Sequence, residues 1–194
     1  MTSILKVDTI QDADGNNIIN ESGNTITIGA SGDTTNIIGT LQNDGSAVGG
    51  TNTPAFSATM SGAQSFSNST STKVQFDTEQ FDTASAYDHS SNYRFTVPSG
   101  QAGKYFIYAK IFYNDQASTD ANRKIHIYKN GSNAGTGQTR TVGTTGRDGT
   151  VAASQVYDLS VGDYIEIYLN SNAGAGSING SANNDIFGGF KIIE

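Results

Sequence analysis

The chain has no cysteine and no tryptophan, 2 prolines in 194 residues, and charge on only 15% of its positions. Without cysteine there is neither a disulfide scaffold nor a thiolate metal site, so burial and strand pairing must hold the fold. Positive charge is the scarcer sign, with 11 Lys and Arg against 18 Asp and Glu and a net charge of −7. A phosphate backbone requires a basic face, so no nucleic-acid partner is expected. No apolar run approaches the roughly 20 residues of a membrane-spanning helix, and no membrane insertion is expected. Met1-Thr2-Ser3-Ile4-Leu5-Lys6 lacks the apolar stretch of a secretory signal, so assembly in a cytoplasm is expected. Low charge also argues against disorder, which needs low hydrophobicity together with high charge.

What is present is hydroxyls, amides and 23 glycines, set between apolar runs as turn residues are. Residues 1–50 contain no aromatic residue, and their apolar groups are aliphatic: Ile4, Leu5, Val7, Ile10, Ile18, Ile19, Ile26, Ile28, Ile37, Ile38 and Leu41. Two short echoes, beginning at Gly23-Asn24-Thr25 and Gly32-Asp33-Thr34, are too few to bury their isoleucines in one chain. Three chains wound together would cover them. The composition divides the chain into an extended β-rich segment over 1–44, a Gly/Ser/Thr linker over 45–53 and a strand-rich head over 54–194.

In the head, residues 105–113 are β-branched and aromatic, while 124–128 and 164–169 alternate apolar with polar residues. No window carries a 3.6-residue apolar period. The fold class is therefore all-β, an antiparallel β-sandwich of about ten strands. Its connections alternate in length: 98–103 short, 113–122 long, 129–134 short, 143–149 longer, 159–163 short and 171–185 long. If every strand crosses its sheet, the tight turns gather at one end with the linker and the long loops at the other. The long loops offer Asp115, Asp120, Arg147, Asp148, Asn172, Asn179 and Asn183 as candidate receptor contacts.

Catalytic chemistry finds little purchase. His126 lies between Ile125 and Ile127 and must face away from them, on a surface. His89, within Tyr87-Asp88-His89-Ser90, reads as loop, because triad members converge from different elements rather than from neighbouring positions. Asp8, Asp12, Asp14 and Asn16 lack the glycine and bidentate glutamate of a calcium loop, and no cofactor or metal is expected.

An ordered set of signals runs through the head: Pro54-Ala55-Phe56, Val74-Gln75-Phe76, Phe81-Asp82, Tyr87-Asp88, Phe95-Thr96-Val97-Pro98, Gly103-Lys104-Tyr105-Phe106, Lys129-Asn130-Gly131, Leu159 with Gly162-Asp163, and Phe187-Gly188-Gly189-Phe190. This order resembles the globular head of complement's first component, a trimeric jelly roll related to tumour necrosis factor. The resemblance covers roughly three quarters of the chain and implies a jelly roll and a homotrimer. No Gly-X-Y repeat precedes the head, so the collagen stalk and immune role do not carry over. The Ser3-Ile4-Leu5-Lys6-Val7-Asp8-Thr9-Ile10-Gln11 opening resembles attachment segments of bacteriophage fibre proteins.

Together these imply a homotrimeric structural protein of a tailed phage, displayed on the virion surface. Ile4, Leu5, Val7 and Ile10 would dock it to other virion proteins, and the head would contact a host-surface glycan or receptor. A capsid decoration protein is the alternative, and a glycan depolymerase a distant one. No enzyme is expected. The 18 Tyr and Phe exceed what one thin core needs, and the surplus is expected between subunits.

Overall fold

The computed structural model describes residues 34, 36–39, 41–43, 46–47, 52–115, 121–141, 148–172 and 174–192. Two compact units share the chain, Met1–Gly50 and Thr51–Glu194. In the first, β1 (Gln42–Asn43) and β2 (Ser46–Ala47) pair antiparallel, with Gln42 opposite Ala47. Two residues that composition gives to a linker thus belong to a hairpin. The docking residues Ile4, Leu5, Val7 and Ile10 lie outside the described residues.

The second unit is a two-sheet antiparallel sandwich, and its regular structure among the described residues is strand alone. Its first six strands are short: β3 (Ala55–Thr59), β4 (Gln64–Phe66), β5 (Ser71–Lys73), β6 (Thr78–Asp82), β7 (Tyr87–Asp88) and β8 (Arg94–Thr96); the long β9 (Gly103–Asp115) then begins the central run. That run continues with β10 (Ala121–Lys129), β11 (Ser132–Thr141), β12 (Asp148–Leu159) and β13 (Tyr164–Ser171), and closes with β14 (Gly176–Ile178) and β15 (Ile186–Lys191). One sheet is ordered β11-β10-β13-β8-β7, with β5 also on β13. The other is ordered β4-β14-β9-β15-β3-β6, with β12 on the free side of β9.

Alternation explains why these strands make two layers. Along β9, Tyr105, Ile107, Ala109, Ile111 and Tyr113 are buried, so Phe106, Tyr108, Lys110 and Phe112 face the other way. Ile125 and Ile127 of β10 and Ile165, Ile167 and Leu169 of β13 supply the opposing wall. Between the walls Phe56 stacks on Phe95 at 4.7 Å and on Tyr87 at 5.2 Å, and Phe187 meets it edge-on at 5.0 Å. Each such pair adds about 1 kcal/mol beyond area burial. The rest comes from removing these rings and isoleucines from water.

The three tight turns meet at one end. Val97 N–H donates to the Asp163 carbonyl at 2.9 Å, and Gly162 N–H donates to the Val97 carbonyl at 3.0 Å. The Asn130 side chain donates to the Asp163 carboxylate at 2.7 Å and accepts from Tyr164 N–H at 2.9 Å. Lys191 N–H donates to the Pro54 carbonyl at 2.9 Å, so the chain enters the unit at that same end. At the other end lie Asn114 paired with Asp148, Ala121 with Thr141, and Arg123 with Ser171.

The segment 171–185 departs from the expected open loop. It turns back as β14, pairs with both β9 and β4, and buries Ile178 completely. Asn179 N–H donates to the Phe112 carbonyl at 2.9 Å, and the Asn183 carbonyl accepts from Lys110 Nζ at 3.4 Å. Both asparagines therefore lie along the flank of the β9 sheet rather than at the loop end. Ile178 is the one large apolar residue of this stretch, and its burial anchors β14.

Candidate functional site

The outward face of the β9 sheet is its most distinctive surface. The strand registers place side chains in cross-strand rows. One row reads Ala55, Phe190, Phe106, Val156, and the next Ser57, Gly188, Tyr108, Ser154 with Phe81 beyond Ser57. A third reads Thr59, Ile186, Lys110, Ala152. Phe190 is 37% exposed, Val156 48% and Phe81 50%, though neither solvent exposure nor core packing requires such residues there. Phe106 packs against Phe190 at 5.6 Å and Tyr108 at 6.0 Å. Within the three rows Lys110 is the one charge.

Glycine shapes this face. A Cβ at Gly188 would collide with the Tyr108 ring, so the missing side chain lets the tyrosine lie against the sheet. Small residues on β12 act likewise. Ala152, Ala153 and Ser154 leave a hollow of about 400 Å³ beside Phe106, Tyr108, Lys110 and Ile186.

The far end of the sandwich is polar and partly self-occupied. Asp148 is exposed and paired with Asn114, while the Asp115 backbone pairs with Gly176. Asn172 is exposed, but its side-chain oxygen accepts from Asn122 N–H at 2.7 Å and so closes the strand ends. Asp120 and Arg147 lie outside the described residues.

His126 faces away from the core as alternation requires. Its Nδ1 lies 2.9 Å from Thr136 Oγ1 and 3.1 Å from Asn133 Nδ2. Desolvation, and then the Lys124 charge, lower its pKa and keep the ring neutral near pH 7. Asp88 does not orient His89. Its carboxylate accepts from the N–H groups of Ser91, Ser90 and Asn92 at 2.8, 3.0 and 3.1 Å, which hold its pKa well below the usual range. His89 instead lies 3.5 Å from Glu79. Among the described residues no three His, Asp or Glu side chains converge as a metal site would require.

No family model matches the chain, and no curated protein matches it. Solved structures do. The chain is similar to Eiger TNF from S. frugiperda at 14% identity, covering 72% of this chain and 92% of that one with a TM-score of 0.56. It is similar to murine APRIL at pH 5.0 at 13% identity, covering 71% of this chain and 98% of that one with a TM-score of 0.53. The head is a jelly roll of the tumour-necrosis-factor type. The globular domain of zebrafish complement 1qA aligns at 14% identity over 73% of this chain and 98% of its own, but its TM-score of 0.49 adds no weight. At these identities the likeness is one of fold alone.

One buried group escaped the sequence reading. Asp185 has no accessible surface, and its carboxylate accepts from Phe112 N–H at 2.7 Å and Ser181 N–H at 2.8 Å. An aspartate just before a strand was the only signal available.

Proposed function

We propose that the protein is a homotrimeric structural protein of a tailed bacteriophage, a virion-surface appendage anchored by its N-terminal segment and presenting the jelly-roll head to the host. The observation that carries the reading is the outward face of the β9 sheet. Phe81, Phe106, Phe190 and Val156 form a face that water would leave costly and that further copies of the head would cover. Obligate interfaces bury roughly 2,000 Å² or more and are apolar at their centre, which matches these rows. Ile4, Leu5, Val7 and Ile10 would dock to other virion proteins. The chain enters the head beside Pro54 and Lys191, opposite the long connections, which suits an appendage held at one end and presenting the other. The role is structural and recognitional rather than enzymatic.

Gold-labelled antibody against residues 54–194 tests this on purified particles. Label on fibres or at their tips is expected. Regular label over the capsid shell would favour a decoration protein, and particles without label would overturn both. A protein lacking residues 1–50 should fold and trimerise yet fail to load onto particles; normal loading would remove the anchoring role.

A further inference from the structure

Aromatic side chains outside the core are sorted by sheet. The β9 sheet turns Phe81, Phe106, Phe112 and Phe190 outward, together with Tyr108. The outward rings of the other sheet are all hydroxylated or heterocyclic: Tyr128 and His126 on β10, and Tyr164 and Tyr168 on β13. Phenylalanine suits a face that another protein buries. Tyrosine suits one that stays wet and meets a ligand with both an apolar and a hydroxylated side.

The surroundings sharpen that contrast. Tyr128 and Tyr168 stack with ring centroids 4.3 Å apart, and His126 meets Tyr128 edge-on at 6.2 Å. Thr136, His126, Tyr168 and Lys73 form one cross-strand row, while Gln138, Lys124, Asn170 and Ser71 form the next. These rows contain no aliphatic side chain. Arg94 lies over the Tyr164 ring, 4.4 Å from its centroid. Beneath the tyrosines Glu166 is 5% exposed, and its carboxylate binds Lys73 Nζ at 2.6 Å. Lys73, Arg94 and Lys124 thus stand beside the carboxylate of Glu166, on a molecule of net charge −7. Asp88 is opposite Arg94 in register, but its carboxylate is turned to its own loop amides.

We infer that this face is a platform for an acidic polysaccharide, a polymer of uronate sugars. The pyranose rings would pack on Tyr128 and Tyr168, and their carboxylates would meet Lys73, Lys124 and Arg94. His126, Thr136, Asn133 and Asn170 would exchange hydrogen bonds with the hydroxyls. Glu166 acts as a positioning residue that holds the Lys73 ammonium. An open sheet face suits a repeating chain better than a single small molecule, and three copies per trimer would add weak contacts together. The inference rests on the head being a host-contacting module, and it moves that contact from loop tips to a sheet face.

Titration calorimetry on the full chain tests it, with polygalacturonate and alginate oligomers as probes and dextran and poly-glutamate as controls. Saturable binding to at least one uronate polymer is expected, weakened by salt, with no binding to dextran and weaker binding to poly-glutamate. Tyr168→Ala and Tyr128→Ala should each cut affinity about tenfold, while Tyr168→Phe should stay within about twofold. Lys124→Gln, at an outward position, should lose affinity about fivefold with an unchanged melting temperature, which guards against misfolding of the alanine variants. No binding to either uronate polymer, equal binding to dextran, or full affinity in Tyr168→Ala and Lys124→Gln would overturn the inference. Equal binding to poly-glutamate would reassign the face to acidic peptides. None of these outcomes bears on where the protein sits on a particle, which the gold label reads separately.

Discussion

Asp185 fills a gap in a hydrogen-bond ladder. On one side of β9, β15 pairs as far as Lys110 and β14 begins at Tyr113, and the Phe112 N–H between them has the Asp185 carboxylate as its acceptor. Asp185→Ala would leave that amide and the Ser181 amide unsatisfied in a dry site. A loss of about 3 kcal/mol is expected, read as a lower urea midpoint at unchanged slope. A midpoint within error of wild type would contradict this. Gly180 carries a similar burden, because its φ is +73° and a Cβ there would overlap the Gly62 backbone. Gly180→Ala should cost at least about 2 kcal/mol by the same measurement. Asp163 ties stability to pH. The Asn130 amide first, then the Lys129 ammonium and Ser160 N–H, bring its pKa down to about 2 from 3.8. A depressed carboxylate stabilises the fold above its unfolded value, and that stability is lost as pH falls from about 3.8 towards 2. Asp163→Asn should flatten the pH dependence of the melting temperature in that window. Residues of this kind were poorly legible in the sequence. Arg123 is another, fully buried on the core side of β10 with its guanidinium over the Phe66 and Tyr113 rings, where residue type alone would put it in water.

At the scale of elements, the long alternating strands could be read from the sequence and the short ones could not. Residues 105–113 are β-branched and aromatic, 124–128 and 164–169 carry a period of two, and all three lie in strands with their isoleucines inward. The strand β14 has three residues and one buried anchor, Ile178, too little for any periodic signal. Its consequence is concrete. Replacing residues 174–184 with a short Gly-Ser turn, harmless if that stretch were a solvated loop, should destabilise the head. It removes Ile178 from the core and the β14 ladder from β9 and β4. Far-UV dichroism during heating should show a large fall in melting temperature. An unchanged melt would mean that β14 contributes nothing to the fold.

For the whole molecule, the order of turn and aromatic signals was enough to reach a jelly roll, because each signal marks a turn or a core ring whose place in the chain the topology fixes. The tight turns do converge on Asp163 and Asn130 at the end where the chain enters. The candidate contacts were less legible. Loop length alone puts Asn179 and Asn183 at the loop end, whereas hydrogen bonds to Phe112 and Lys110 hold them along the flank of the β9 sheet. The surplus of aromatic residues was visible in composition, but its division into a phenylalanine face and a tyrosine face needed the strand registers. That division underlies the proposed trimer. Light scattering coupled to size exclusion measures it most directly, on the full chain at micromolar concentration and on a Phe106→Asp, Val156→Asp variant. A mass three times 20.3 kDa is expected for the native protein and a folded species of 20.3 kDa for the variant. A native protein that remains a stable monomer, or a variant that remains a trimer, would contradict it.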